Sequence, residues 1–325
     1  MGDPGTRAVV ATASYEARKF GVHSAMPLGE ARRLCPTAVI VPVRHRIYEE
    51  HSQRVMNLLR EYAAQHESVP QVEQVSIDEA YAEIEAERDA TEIAHELQHR
   101  IQTELGLDCT SAVATNKLVS KIACNTVKPR GFIVVRAGEE QTFLAPLPVG
   151  MIPGAGKVTR VKLLRWNVTT IGDLANVPVE ELRAQFGKLG IYLHDAAHGR
   201  DDSPIVSDAK PKSFSQEITL NRDTRSATEL EKYLVEMSEI LGRELSRREY
   251  AARTIVLKLR FADFTTITRQ TTLRTPTADG KLIVEHGRNL LRAHWDQERP
   301  VRLIGIGAHN LVEPDSPAQL ELRFE

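Results

Sequence analysis

The chain has 325 residues, of which 42% are hydrophobic and 26% charged, and its formal net charge is −2. That length exceeds one ordinary core and predicts two to four modules, and the composition is that of a soluble globular protein. No apolar run approaches the roughly 18 residues that a membrane span needs. The opening MGDPGTRAVV lacks the basic and apolar regions of a signal peptide. Three cysteines, Cys35, Cys109 and Cys124, stand far apart without a CxxC pair. They argue against a disulfide framework or a zinc site and predict a reducing, cytoplasmic location.

In chain order, Arg7–Thr12 reads as a strand, Ser14–Phe20 as a helix, and a second short helix follows Pro27. Tyr15 and Arg18, three apart, share a face of the first helix. A fork-shaped cation beside a hydroxyl suits a phosphate, and equally describes a surface pair. Helical patterning returns over Ile47–Ala64, with Val55, Leu58, Leu59 and Tyr62 on one face. Next comes VEQVSIDEAYAEIEAE, residues 72–87, whose β-branched lead-in delivers two adjacent acids, Asp78 and Glu79. Alternation of Val75, Ile77 and Tyr81 predicts extended structure. A long helix over Ala90–Leu105, a strand over Asp108–Val113, a helix over Lys117–Thr126 and a strand over Phe132–Val135 follow. That alternation is an α/β or α+β module whose first element is absent.

Pro148–Arg165 opens a small helical unit that lasts to about Asp202, and Ser207–Lys212 is a polar connector. Beyond it the order is strand, helix, strand, strand, helix, strand between Ser213 and Ala308, the ferredoxin-like succession. The final EPDSPAQLELRFE reads as a free tail.

Several motifs compete for a chemical reading. His95-Glu96-Leu97-Gln98-His99 is an HExxH match, but the buried stripe of that helix is Ile93, Leu97 and Ile101. The histidines therefore face solvent, and no third ligand stands at a familiar spacing. Gly154-Ala155-Gly156-Lys157 fails the phosphate-loop pattern at Met151 and Val158. It suits a helix-hairpin-helix, whose Gly154 and Gly156 let backbone N–H groups approach a phosphate, or else an ordinary turn between helices. Asp78-Glu79 is either a turn with solvated acids or the oxygen donors of a hard cation such as Mg²⁺, for which a third carboxylate is expected.

Basic residues are segregated. Lys117, Lys121, Lys128, Arg130 and Arg136 lie in Ala112–Arg136 with no acid, and Lys157, Arg160, Lys162 and Arg165 in Met151–Arg165 with none. Arg253, Lys258, Arg260, Arg269 and Arg274 lie in Tyr250–Thr275 with Asp263 alone. Three such stretches predict a polyanion track.

SIDEAY (76–81), ASYEARKFGVHSAMP (13–27), ATNKLVSKIACNTVKPRG (114–131), the Pro153–Gly156 hairpin, KSFSQEITL (212–220) and PVRLIGIGAHNL (300–311) resemble the Y-family translesion DNA polymerases of the polymerase IV type. The resemblance runs end to end in the family's order. It implies a multidomain α+β right hand: fingers at 1–45 with the preceding palm strand absent, palm at 46–146, helix-hairpin-helix thumb at 147–205, linker at 206–212, little finger at 213–312 and a clamp-binding tail at 313–325. It implies Asp78 as a metal ligand, Glu79 as ligand and catalytic carboxylate, and two Mg²⁺ ions. Tyr15, Arg18 and Lys128 fall on positions that contact the incoming deoxynucleoside triphosphate. Primer–template DNA is then expected along Gly154, Gly156 and Lys157 and along Arg253, Lys258 and Arg260. Gln319, Leu320, Leu322 and Phe324 resemble the family's sliding-clamp peptide, from which Arg323 departs.

Where the family begins with a strand bearing an aspartate and an aromatic pair, this sequence starts in the loop before Arg7, and Asp3 in its turn is no substitute. Two readings follow: an error-prone, monomeric, template-directed polymerase, or a catalytically inactive DNA- and clamp-binding protein. A helix-hairpin-helix glycosylase or lyase lacks the Lys/Asp pair it would need.

Overall fold

The computed structural model describes residues 7–65, 72–84, 89–207 and 210–313. From Arg7 the chain makes no regular strand. Val9 forms one antiparallel bridge to Pro27, held by Val10 N–H to Met26 O at 2.9 Å and Leu28 N–H to Ala8 O at 2.9 Å. The strand expected over Arg7–Thr12 is thus reduced to this contact, because the partner segment turns at once into a helix. Helix α1 (Tyr15–Arg18) is also shorter than expected. Ser14 caps it by accepting from Ala17 N, and Gly21, at φ +85°, turns the chain away. Helix α2 (Leu28–Leu34) follows, and Val22, Met26, Ala31 and Cys35 form a small core with Val10, Ala13 and Ala17.

Helix α3 (His45–Gln65) buries Ser52, Met56, Leu58 and Tyr62. Strands β1 (Val72–Gln74) and β2 (Ala80–Ala82) pair antiparallel, Glu73 opposite Tyr81. Helix α4 (Ala90–Leu105) starts at Asp89, whose carboxylate accepts from Thr91 N and Glu92 N, and stops at Gly106 in the left-handed region. Strand β3 (Ser111–Val113), helix α5 (Lys117–Thr126) and strand β4 (Phe132–Val134) make a β-α-β unit with a parallel pair. Among the described residues these four strands form two separate two-stranded ladders.

Helices α6 (Glu140–Leu144), α7 (Lys157–Leu164), α8 (Ile171–Ala175), α9 (Val179–Phe186) and α10 (Lys188–Ala197) complete this part of the chain. They share one core with α5: Leu118, Val119, Ile122 and Ala123 pack in the same cluster as Leu144, Leu163, Ile171, Leu174, Leu182 and Leu193. Helices α9 and α10 meet so closely that a Cβ on Gly190 would lie 2.0 Å from Leu182 O.

From Lys210 the order is β5 (Ser213–Thr224), α11 (Ala227–Arg247), β6 (Ala251–Phe261), β7 (Thr266–Thr277), α12 (Gly280–His294) and β8 (Val301–Val312). The expected β-α-β-β-α-β succession is present. It closes into one antiparallel sheet in the order β5-β8-β6-β7, with β8 inserted between β5 and β6. Ile255, Leu257, Leu259, Ile304 and Ile306 meet Leu230, Leu234, Leu241, Ile283 and Leu291 of the two helices, so this sheet keeps one face open.

The chain divides into two units: residues 44–209, and residues 1–43 with 210–325. Within the second, Arg7 reaches β5, donating to Leu220 O at 3.1 Å and to Asp223 Oδ1 at 2.6 Å. Among the described residues no helix is long and apolar enough to cross a membrane.

Candidate active site

The two acids sit at the tip of the β1–β2 hairpin. Strand β1 ends at Gln74, so Val75 and Ile77, expected in extended structure, instead lie exposed in the tip. The turn closes through Glu79 O, which accepts from Val75 N at 3.0 Å and Ser76 N at 3.2 Å. Asp78 is exposed, and its Oδ1 accepts from the Ser76 hydroxyl at 2.7 Å. Glu79 forms an ion pair with Lys121 of α5, the side chains being 37% and 27% exposed.

Helix α5 is fixed on the other side. Asn116 caps it, accepting from Val119 N at 2.9 Å and donating to Gly199 O at 2.8 Å, while Asp201 Oδ2 accepts from Leu118 N at 3.0 Å. With Leu118, Val119, Ile122 and Ala123 buried, the helix presents Lys117, Lys121 and Cys124, spaced i, i+4 and i+7, along one face. Lys117 Nζ donates to Glu73 Oε2 and to Pro204 O, each at 2.8 Å, and Val206 N donates to the same Glu73 oxygen at 3.0 Å. This bonding, Lys117 first, holds the Glu73 carboxyl below the usual carboxylate range. Tyr81 lies beneath: burial, then the charges of Glu79, Glu73 and Asp201, push its phenol up to about 12. Burial also raises the Cys124 thiol, against the pull of the Lys128 and Lys121 charges.

Tyr15 and Arg18 come together in the other unit, where the guanidinium lies 4.9 Å from the ring centroid and Arg18 Nε donates to Ala13 O at 3.0 Å. Gly154 takes φ +85°, which favours glycine, and Gly156 caps α7 with open space around its α-carbon. Leu163 anchors α7 while Val158, Val161 and Leu164 are exposed, Val158 at 74%. Lys157, Arg160, Lys162 and Arg165 make no ion pair among the described residues, although Lys162 Nζ lies 5.7 Å from the Phe186 ring centroid.

The other basic stretches fare differently. Lys117 and Lys121 pair with Glu73 and Glu79, and Arg130 and Arg136 with Asp108 and Glu139. Lys258 stands on the open face of the little sheet, 2.6 Å from Glu217 Oε2, and Arg260 Nε donates to Thr266 Oγ1 at 3.0 Å. Arg253 lies at the irregularity between Ala252 and Thr254. Counting charge along the sequence therefore overstated the free cations in two of the three stretches.

His95 and His99 are both exposed, as the stripe on α4 predicted. His95 stacks on Phe132 with ring centroids 3.6 Å apart, and Glu96 accepts from the Tyr62 hydroxyl at 3.2 Å. Among the described residues no group of three His, Cys, Asp or Glu is placed to hold a metal ion. Gln319, Leu320, Leu322 and Phe324 lie outside the described residues.

Residues 1–125 match the impB/mucB/samB family, residues 211–322 its C-terminal domain, and residues 150–201 the thumb domain described for DNA polymerase iota. A DNA polymerase IV of Dehalococcoides mccartyi is 39% identical over 98% of this chain and 82% of its own length. The chain belongs to the DNA polymerase IV family. A solved Y-family polymerase chimera of Dbh and Dpo4 superposes with a TM-score of 0.82 at 30% identity, covering 96% of this chain and 90% of its own. An insertion ternary complex of Dbh DNA polymerase, also 30% identical, gives 0.65 over 94% and 88%. The polymerase IV chain is thus a DNA-directed DNA polymerase of the translesion class acting on primer–template DNA and deoxynucleoside triphosphates, and its family is metal-dependent. The inactive reading finds no support in these relatives. Sequence reasoning counted Lys121 and Lys117 only as basic residues and missed Glu73; the i, i+4 spacing of the two lysines was the available signal.

The donor chemistry suits a hard cation: two adjacent carboxylates at an exposed tip, one of them paired with an ammonium.

Proposed function

We propose that the Asp78–Glu79 tip is the catalytic centre of this polymerase, with Asp78 and Glu79 holding Mg²⁺ and Glu79 the catalytic carboxylate. The observation that carries it is two adjacent acids on a hairpin turn facing the cationic edge of a rigid helix. Mg²⁺ bound there supplies Lewis acidity for attack by the primer 3′-hydroxyl on the α-phosphate, with pyrophosphate leaving. Tyr15 and Arg18 bind the triphosphate through a hydroxyl and a planar fork of N–H donors, and Lys128 adds a point charge. Gly154, Gly156 and Lys157 bring α7 against the DNA backbone, with Arg253, Lys258 and Arg260 tracking phosphates from the little-finger sheet.

The domain scheme is fingers 1–45, palm 46–146, thumb 147–205, linker 206–212, little finger 213–312 and tail 313–325, in a monomeric, cytoplasmic protein. Gln319, Leu320, Leu322 and Phe324 bind the replicative sliding clamp, and each buried apolar side chain there contributes about 1.5–3 kcal/mol before ordering costs. A peptide of residues 313–325 with no affinity for the cognate clamp would remove that assignment.

The central test is primer extension by Asp78→Ala and Glu79→Ala in the full chain. Each loses nucleotide addition while keeping affinity for primer–template DNA. Retained extension by either variant overturns the placement of the catalytic centre.

A further inference from the structure

The two adjacent acids are not equivalent. Asp78 is held by a neutral hydroxyl, whereas Glu79 is held by the ammonium of Lys121. Lys121 comes from a helix whose opposite side is buried and whose first turn is tied down by Asn116 and Asp201, so its stem starts from a fixed point. One turn earlier Lys117 already has two acceptors, Glu73 and Pro204 O, and is committed to structure. Lys121 has Glu79 as its one acidic partner among the described residues, and exchanging that partner breaks one ion pair and nothing else.

We propose that Lys121 is a positioning residue for the polymerase reaction: its ammonium pairs with Glu79 Oε1 as a resident counter-cation, offsets one of the two adjacent negative charges, keeps that carboxylate aligned, and competes with the divalent cation for it. A dication and an ammonium drawn to the same carboxylate repel each other, so loading is favoured when Lys121 lets go. The released charge stays on the same exposed face of α5. When a nucleotide phosphate is present the Lys121 ammonium would have a second anion to which it could move from the carboxylate. Bare metal without nucleotide is disfavoured.

This rests on the reading of Asp78 and Glu79 as metal ligands, and the test separates the two. Mn²⁺ is titrated into the full chain without nucleotide, and the free ion is followed by electron paramagnetic resonance. Lys121→Met tightens Mn²⁺ binding about threefold to fivefold, the range set by a partly exposed ion pair. Lys121→Arg, which keeps the cation, stays within about twofold of the parent on the same scale. In a Glu79→Gln background Lys121→Met has no effect. Lys121→Gln serves as a second neutral variant if Lys121→Met fails to fold by circular dichroism. Unchanged or weaker binding in the neutral variants overturns the competition, as does the absence of measurable binding in parent and variants alike. If Asp78→Asn and Glu79→Gln bind Mn²⁺ like the parent, the metal reading itself falls.

Discussion

The bonding around Glu73 makes a quantitative prediction. Its carboxylate joins three parts of one unit: β1 by its own backbone, α5 through Lys117 at 2.8 Å, and the segment that follows α10 through Val206 N at 3.0 Å. The two side chains are 17% and 20% exposed, so the pair is neither fully buried nor a free surface contact. Removing one member of a buried pair costs about 3–5 kcal/mol, and exposed pairs contribute about 0–1 kcal/mol. Glu73→Ala, which leaves the Lys117 ammonium with Pro204 O alone, therefore destabilises the 44–209 unit by about 2–3 kcal/mol. Glu73→Gln, which keeps an acceptor for Val206 N, costs about half as much. Replacing both members with Glu73→Leu and Lys117→Met recovers most of the loss, because no unpaired charge remains. Amide hydrogen exchange at Val206 reports the contact directly, and urea unfolding reports the whole unit. Because the Glu73 carboxyl is lowered, its contribution is present above the ordinary carboxylate value of about 4.3 and disappears as pH falls below it. If Glu73→Ala leaves Val206 protection and urea stability at parental values, the network is incidental and the reasoning fails.

Two further predictions concern the phenol under the site and the thumb. Tyr81 titrates late, at about 12 rather than the ordinary value of about 10, so its contribution to stability is complete below pH 10 and is lost as pH rises through 12. Ultraviolet titration of Tyr81→Phe against the parent isolates that one phenol, and a difference curve centred near the ordinary value would refute its burial beside Glu79 and Glu73. Because Lys157, Arg160, Lys162 and Arg165 make no ion pair among the described residues and Lys258 is engaged by Glu217, reversing two of these four cations flattens the salt dependence of DNA affinity by about two units of log–log slope. Lys258→Glu changes it by less than one unit on the same basis; equal effects from both regions would show that the ion pair does not persist on DNA.

How much of this was legible depends on the range of the cause. Helices α4 and α5 were readable because their causes are local: apolar residues at helical spacing, with Asp89 and Asn116 as caps and Gly106 as terminator in the structure. The acids at 78 and 79 were readable because adjacency is itself a local oddity. Helix α1 was overestimated because the pattern from Ser14 to Phe20 ignores Gly21, whose positive φ ends it early. The strand order β5-β8-β6-β7 was not readable at all: it depends on where β8 finds a partner some fifty residues after β6 begins, and nothing local in either strand encodes that choice.

Charge followed the same division, with a consequence for function. A run of cations without acids looked like a polyanion track from Ala112 to Arg136, yet folding brings Glu73 and Glu79 from the hairpin onto Lys117 and Lys121. The spacing of those lysines matters more than their number. Lys117 and Lys121, one helical turn apart, meet acids on β1 and at the hairpin tip, so one helix face both anchors the hairpin and supplies the cation at its tip. Lys128, seven residues beyond Lys121, lies past the end of α5 and has no acidic partner among the described residues. One basic stretch thereby carries three different arrangements along its length: a structural clasp at Lys117, a cation held against the Glu79 carboxylate at Lys121, and, past the end of α5, a charge at Lys128 without an acidic partner among the described residues.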